Sequence, residues 1–382
     1  MRLRSCVFQV AILLVVLFAA RTVVQAQFAI QKSNTAADLR GIHAVDGKVA
    51  WASGTNGTVL RTVDGGANWQ VCSVPPDAEK LDFRGIQAFD AKTAIVMSSG
   101  KGDLSRLFKT TDGCKTWKLM FKNPDKDGFW DAIHFEDQLN GWLLGDPVKD
   151  GFVLYVTVNG GKAWIRQHNK GLHADPSQQG AFAASNSSLT ALSSDLWFGG
   201  LSTASGGKEG AFVYSEVDPM LCLDYCPVTD GRLEGRLRKW EKQPVPIGIH
   251  SESSGIFSLS QRERHQPAGY DRVMVAVGGD YQKPLDSQAT AAFMVGYGKS
   301  WTAAETMPHG YRSAVAYDAA AKEWITVGPN GTDVSTDDGK NWRALQPDAA
   351  RGEAPDADRN WNALSLPFVV GPKGRIGKRN SQ

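Results

Sequence analysis

Four octets place a hydroxyl, a carboxyl or carboxamide and an indole at fixed spacing: Thr62-Val-Asp-Gly-Gly-Ala-Asn-Trp69, Thr110-Thr-Asp-Gly-Cys-Lys-Thr-Trp117, Thr157-Val-Asn-Gly-Gly-Lys-Ala-Trp164 and Ser335-Thr-Asp-Asp-Gly-Lys-Asn-Trp342. Three keep Gly at the fifth position, where the second has Cys114. Asp64, Asp112, Asn159 and Asp337 invite two kinds of chemistry, carboxylate catalysis and calcium ligation, because short Asp/Gly loops also hold that ion. A calcium loop needs several oxygens at alternate positions, and each octet supplies one carboxylate at most, or two in Asp337-Asp338. The same oxygen suits the backbone N–H groups of a tight turn, and Gly supplies a positive φ. Trp69, Trp117, Trp164 and Trp342 can then cover the turn as the next strand begins. The octets are therefore expected to be structural hairpins that hold no metal.

Outside the octets the candidate acid/base groups are Asp131, Asp146, His309 and Tyr311. Two of these carboxyls about 5 to 9.5 Å apart would suit glycoside hydrolysis. His43 and His134 sit at alternating strand positions and are expected to pack inside. The chain has no Gly-rich phosphate loop, dinucleotide fingerprint, nucleophile elbow or His-Glu-x-x-His string. No cofactor is expected.

The elements that must position these groups recur seven times. A short alternating segment begins at Arg40, Arg84, Trp130, Leu189, Ser254, Arg312 and Trp361, as in Arg40-Gly-Ile and Arg84-Gly-Ile. A second strand follows each and ends in a small residue, a third leads towards the octet position, and the Trp opens a fourth. Four strands per unit at a period of ~51 residues indicate the blades of a propeller. The fold class is all-β, a seven-bladed β-propeller of four-stranded antiparallel blades. Blades four and five carry worn octets, and blade four holds an insertion at about residues 216–239. The seventh blade lacks a fourth strand, and Phe28-Ala-Ile-Gln-Lys is a strand without a blade. Pairing the two closes the ring and removes both exposed sheet edges.

Residues 1–26 join a basic start (Arg2, Arg4), an apolar run from Val7 to Ala20 and a small-residue end at Ala26, the pattern of a cleaved signal peptide. Residues 27–382 then form one exported domain, periplasmic or extracellular, with no membrane span. Removing Arg2, Arg4 and Arg21 from 42 basic residues leaves 39 against 40 acidic ones, a balance that does not call for nucleic acid or an anionic membrane, and no nucleic acid is expected as partner. In an oxidising compartment the four remaining cysteines suit disulfides. Cys222 and Cys226, close together in the insertion, are the first choice of pair. Cys72 with Cys114, which would staple adjacent repeats, is the alternative.

The octets resemble the Asp-box, or BNR repeat, of sialidase-like propellers. The stretch from Gly41 to Trp69, with Trp51-Ala-Ser-Gly54 and Thr62-Val-Asp-Gly-Gly66, is similar to repeats of the photosystem II stability/assembly factor-like family. The first resemblance implies an arginine cluster opened by Arg-Ile-Pro, but the nearest string here is Arg375-Ile-Gly377, at the wrong end of the chain. The second implies a non-catalytic binding or assembly role.

In a propeller the octets and the short hairpins, such as that at Asp46-Gly-Lys, share one face. The long loops, among them the one from His168 to Ser188, lie on the other. Function concentrates on long loops held by a rigid scaffold. There Arg40, Arg84 and Arg312, with Trp130 and Trp361, are expected to ring the channel mouth and bind a protein or an acidic or glycan ligand. The expectation is a monomeric, non-catalytic binding module. The alternative is a glycoside hydrolase, sialidase-like enzyme or lyase that uses Asp131 and Asp146.

Overall fold

The strand pattern folds as the sevenfold repeat requires. The computed structural model describes residues 28–379 except 168–170, 193–194, 204–209, 217–239, 249–250, 267–268 and 297–299. The expected signal peptide, Cys222, Cys226 and nearly all of the blade-four insertion lie outside the described residues. Seven antiparallel sheets form the ring. Blade one runs Leu39–Ala44, Ala50–Gly54, Val59–Thr62, Gln70–Val71, and blade two Phe83–Ala88, Ala94–Ser98, Arg106–Thr110, Lys118–Lys122. Blade three runs Trp130–Phe135, Gly141–Val148, Gly151–Thr157, Ile165–Arg166.

Middle strands are buried on both faces, as in Ala94–Ser98 and Gly151–Thr157, because each blade is covered on either side by its neighbours. Outermost strands such as Gln70–Val71 are exposed and polar on at least one face. The cores therefore lie between blades. Trp51 and Val59 pack with Phe83, Ile86 and Phe108 between blades one and two. Leu39 and Leu60 pack with Phe368 and Ile376 between blades one and seven.

The N-terminal strand Phe28–Gln31 pairs antiparallel with Ile376–Arg379 and completes blade seven. Its side chains fix the seam on both sides. Phe28 is fully buried and meets Trp361 edge-on, 5.6 Å between centroids. Gln31 accepts from the Trp69 indole at 2.9 Å, which ties the closing strand to blade one.

Blade five departs from the expected short inner hairpin. Its first two strands, Ser254–Gln266 and Gly269–Asp280, are paired almost throughout, and Arg262 reaches Asp338 in the octet of blade six. The resolved disulfide is Cys72–Cys114, the second choice from sequence, which joins the outer parts of blades one and two.

Truncation of Phe28 removes a buried ring from the seam. Phe28→Ala should therefore lower unfolding free energy by about 3–5 kcal/mol. Ile30→Ala, at a site 43% exposed on the same strand, should change it by less than about 1 kcal/mol. Denaturant titration of both variants tests whether closure carries the ring.

Candidate binding site

The octet oxygens are committed to their own turns. Thr62 donates to Asp64 at 2.8 Å and accepts from Gly66 N at 2.9 Å, while Asp64 accepts from Asn68 N at 2.9 Å. The same three bonds recur around Thr110, Asp112 and Thr116, around Thr157, Asn159 and Ala163, and around Ser335, Asp337 and Asn341. Hydrogen bonds led by the Asn68 side chain hold Asp64 at about 2, and those led by Thr116 hold Asp112 at about 2. The fifth octet position needs a left-handed backbone, with φ of 85° at Gly66 and 64° at Cys114. Cys114 adopts it where its disulfide anchors the turn. Gly65 N donates to Lys48 O, which places the octet against the first hairpin on one face.

On the opposite rim the expected ring of arginines and tryptophans divides. Trp130, Trp361 and Arg312 are fully buried. Trp130 stacks on Phe121 at 5.3 Å, and the Trp361 indole donates to Ala357 O. Arg312 binds Asp333 through two nitrogens and donates to Tyr311 O and Asn330. These three hold blades together and offer no face to a ligand. Arg40 and Arg84 remain about one-third exposed and share Asp82, at 3.6 and 2.8 Å.

The four acid/base candidates also divide. His309 and Tyr311 belong to blade six. His309 Nδ1 lies 2.6 Å from buried Asp333, and Tyr311 packs edge-on against Phe257 at 4.7 Å while burial pushes its phenol upward. Asp131 and Asp146 come together in blade three. Trp130 pairs with Gly145, and a bulge between Trp130 and Ala132 displaces Asp131 from the ladder. Asp131 is 1% exposed and neither of its oxygens has a hydrogen-bond partner. Asp146 accepts from Ala181 N at 2.9 Å.

Both carboxyls face a feature that the sequence shows only as a long loop. Residues 181–188 return from blade three into the channel and fasten to four blades. Arg84 donates to Ala183 O, Asn186 bonds Ile133 N and O, Ser185 donates to Ser313 O, and Ser187 donates to Ser258. A Cβ at Gly85 would lie 2.8 Å from Asn186 Oδ1, so the inner-strand glycine makes room for this plug. Beside the plug lie two cavities of about 700 and 400 Å³ that share Asp127, Asp146, Ala181 and Phe182. Arg84, Lys101 and Asp131 line the smaller one.

Burial, reinforced by the Asp146 charge and opposed by Arg84, raises Asp131 well above the carboxylate range. Burial lifts Asp146 to about 6 against the Ala181 N–H. Two groups of opposite response sit on the inner strands: burial lowers His43 and His134 to about 4 each.

No family model matches the chain, and no curated protein matches it. Solved structures share its fold. YCF48 bound to D1 peptide is 16% identical at a TM-score of 0.56, covering 94% of this chain and 100% of that one. YCF48 from Cyanidioschyzon merolae is 17% identical at 0.53, covering 93% and 99%. An ancestral GH74 enzyme is 11% identical at 0.52, covering 93% of this chain and 46% of that one. At these identities the likeness establishes a seven-bladed propeller and leaves activity to the site.

The raised carboxyls set a pH signature. The native state keeps a proton on Asp146 that the unfolded chain releases between about 4 and 6, so this group's contribution to stability falls as pH rises through that window. The histidines act oppositely: the unfolded chain takes up their protons between 6.5 and about 4, so stability is lost as pH falls there. Asp146→Asn should raise stability by about 1–2 kcal/mol at pH 8. The gain should vanish near pH 4, leaving the histidine-driven acid loss steeper. Thermal unfolding across pH 4–8 measures both slopes.

Proposed function

We propose that this propeller is an exported, non-catalytic binding module that holds a segment of a partner protein on the long-loop rim, over blades two to four. The observation that carries the proposal is the pair of adjoining cavities beside the channel plug. Their lining mixes open carboxyl acceptors with side-chain donors and the Phe182 ring, as the N–H and C=O groups and side chains of a peptide require. Within hydrogen-bonding reach of the octet face, by contrast, the Asp and Asn oxygens are already committed to their turns. The YCF48 propeller solved with a D1 peptide supports protein recognition by this architecture. Export is part of this reading, supported by the apolar N-terminal pattern of residues 1–26 and by the Cys72–Cys114 disulfide.

A glycan-cleaving reading draws on one observation: Asp131 and Asp146 interact, both are raised, and one stands at about 6, the environment of a carboxyl acid. Against it, Asp131 is 1% exposed, and a glycosidic oxygen flanked by two sugar rings approaches so enclosed a carboxyl less readily than the slender end of a side chain does.

A displayed peptide library and a glycan panel, offered to the same purified protein, separate the two. Peptides should be enriched, and Ser177→Trp, which puts an indole into the larger cavity from its exposed wall, should weaken them about tenfold or more. Val158→Trp on the octet face should not. Release of reducing sugar that disappears in Asp131→Asn would sink the binding reading, as would equal peptide retention by Ser177→Trp.

A further inference from the structure

The expectation from sequence was a basic ring that recognises acidic ligands. The arrangement of charges in the folded site points the other way. Each arginine of that ring already has an acid: Arg312 has Asp333, and Arg40 with Arg84 has Asp82. Lys101, at the edge of the smaller cavity, lies 2.9 Å from Asp127. Among the charged groups that line this cavity, the one without a hydrogen-bond partner is a carboxyl. Asp131 lines that cavity with both oxygens unbonded, although it is 1% exposed. Asp146 beside it accepts one backbone N–H. The large majority of buried polar atoms in proteins are paired, so a carboxyl with both oxygens unpaired beside an open cavity points to a donor that arrives from outside.

We propose that the smaller cavity receives a cationic side chain, the guanidinium of an arginine or the ammonium of a lysine, against the Asp131 and Asp146 carboxyls. The idea rests on the peptide-binding reading and specifies which residue of the peptide is anchored. Three lines of chemistry select the occupant. An anion would meet three carboxyls, Asp127, Asp131 and Asp146, against two cations that are each already paired. Calcium would want six or more oxygens, and among the described residues no group of three or more acidic, His or Cys side chains is placed to hold a metal ion. A guanidinium supplies up to five N–H donors in a planar fork, enough to satisfy both open oxygens of Asp131 and to reach Asp146. Phe182, in the same lining, adds an aromatic surface on which such a cation can rest. Arg84 does not fill this role itself. Its Nε binds Asp82 and its Nη1 binds Ala183 O, which anchors the plug.

The test uses the full protein and n-butylguanidinium as the probe, with n-butanol and butyrate at equal concentration as neutral and anionic counterparts. Carbon-13 NMR of the Asp side-chain carboxyls follows binding at the site itself. Butylguanidinium should shift the Asp131 and Asp146 resonances saturably, and butanol and butyrate should not. Asp131→Asn should weaken the response about tenfold or more, the loss expected when one partner of a buried charged hydrogen bond is removed. Asp146→Asn should weaken it as well, and supplies a second readout independent of the first variant. Equal shifts with butanol, an unsaturable response, or unchanged binding in both variants would overturn the cation pocket.

The peptide reading fails separately. If butylguanidinium binds as expected and no library peptide does, the pocket stands and the binding-module reading falls. If peptides bind but exchange of their arginines and lysines for citrulline and norleucine leaves affinity unchanged, the cation pocket falls and the module remains.

Discussion

A single blade of this protein cannot bury its own faces. Four strands make a sheet with two apolar sides and, among the described residues, no α-helix to cover either, so each side is buried against the next blade. The cores are accordingly shared: Trp51 of blade one packs with Phe83 of blade two, and Phe368 of blade seven packs with Leu39 of blade one. Under this constraint an open ring would leave two apolar faces in water. The four-residue strand Phe28–Gln31 is what prevents it, by completing the last sheet and by joining blade seven to the Trp69 turn of blade one. Local features of the fold, from octet turns to the disulfide, gain their stability inside that closed circuit.

The repeat was legible because its determinants are local. The hydroxyl, the Asp or Asn two residues later and the glycine four residues later bond to each other inside one turn, so their spacing alone reports the hairpin. The closing strand was legible for a different reason: an unpaired strand at one end and an incomplete blade at the other leave two edges that only each other can satisfy. The plug was not legible. Its bonds run from Asn186 to Ile133, 53 residues away, and from Ser185 to Ser313, 128 residues away, and no periodicity connects those positions. What the sequence did carry was a long loop and, at Gly85, a missing side chain on the wall that the plug must approach.

The expected arginine ring divides for a related physical reason. Register within a repeat tells which residue begins the inner strand and nothing about the acid opposite it. Asp333, on the third strand of blade six, meets Arg312 and converts an apparent anion receptor into a fully buried staple. Trp130 and Trp361, at the equivalent register, point into interfaces filled by Phe121 and Phe28. Aromatic and guanidinium groups at the same repeat position therefore serve blade packing first, and only Arg40 and Arg84 stay within reach of the rim.

The carboxyl pair behaves differently from everything around it. Other buried charges are matched: Arg312 is paired with Asp333 and Arg379 with Glu323. Asp131 is equally buried, and beside it stand a second carboxyl and the charge of Arg84, which binds other groups. Such an arrangement works against folding, because desolvation and like charge both oppose ionisation. An asparagine of the same shape would relieve both. The plug makes the arrangement more demanding, since Ala181 N holds Asp146 in place and Arg84 is turned to Ala183 and Asp82 instead of neutralising Asp131. The resident donors are thus directed away from Asp131 while the cavity beside it stays open, the arrangement expected where an incoming ligand supplies the missing partner.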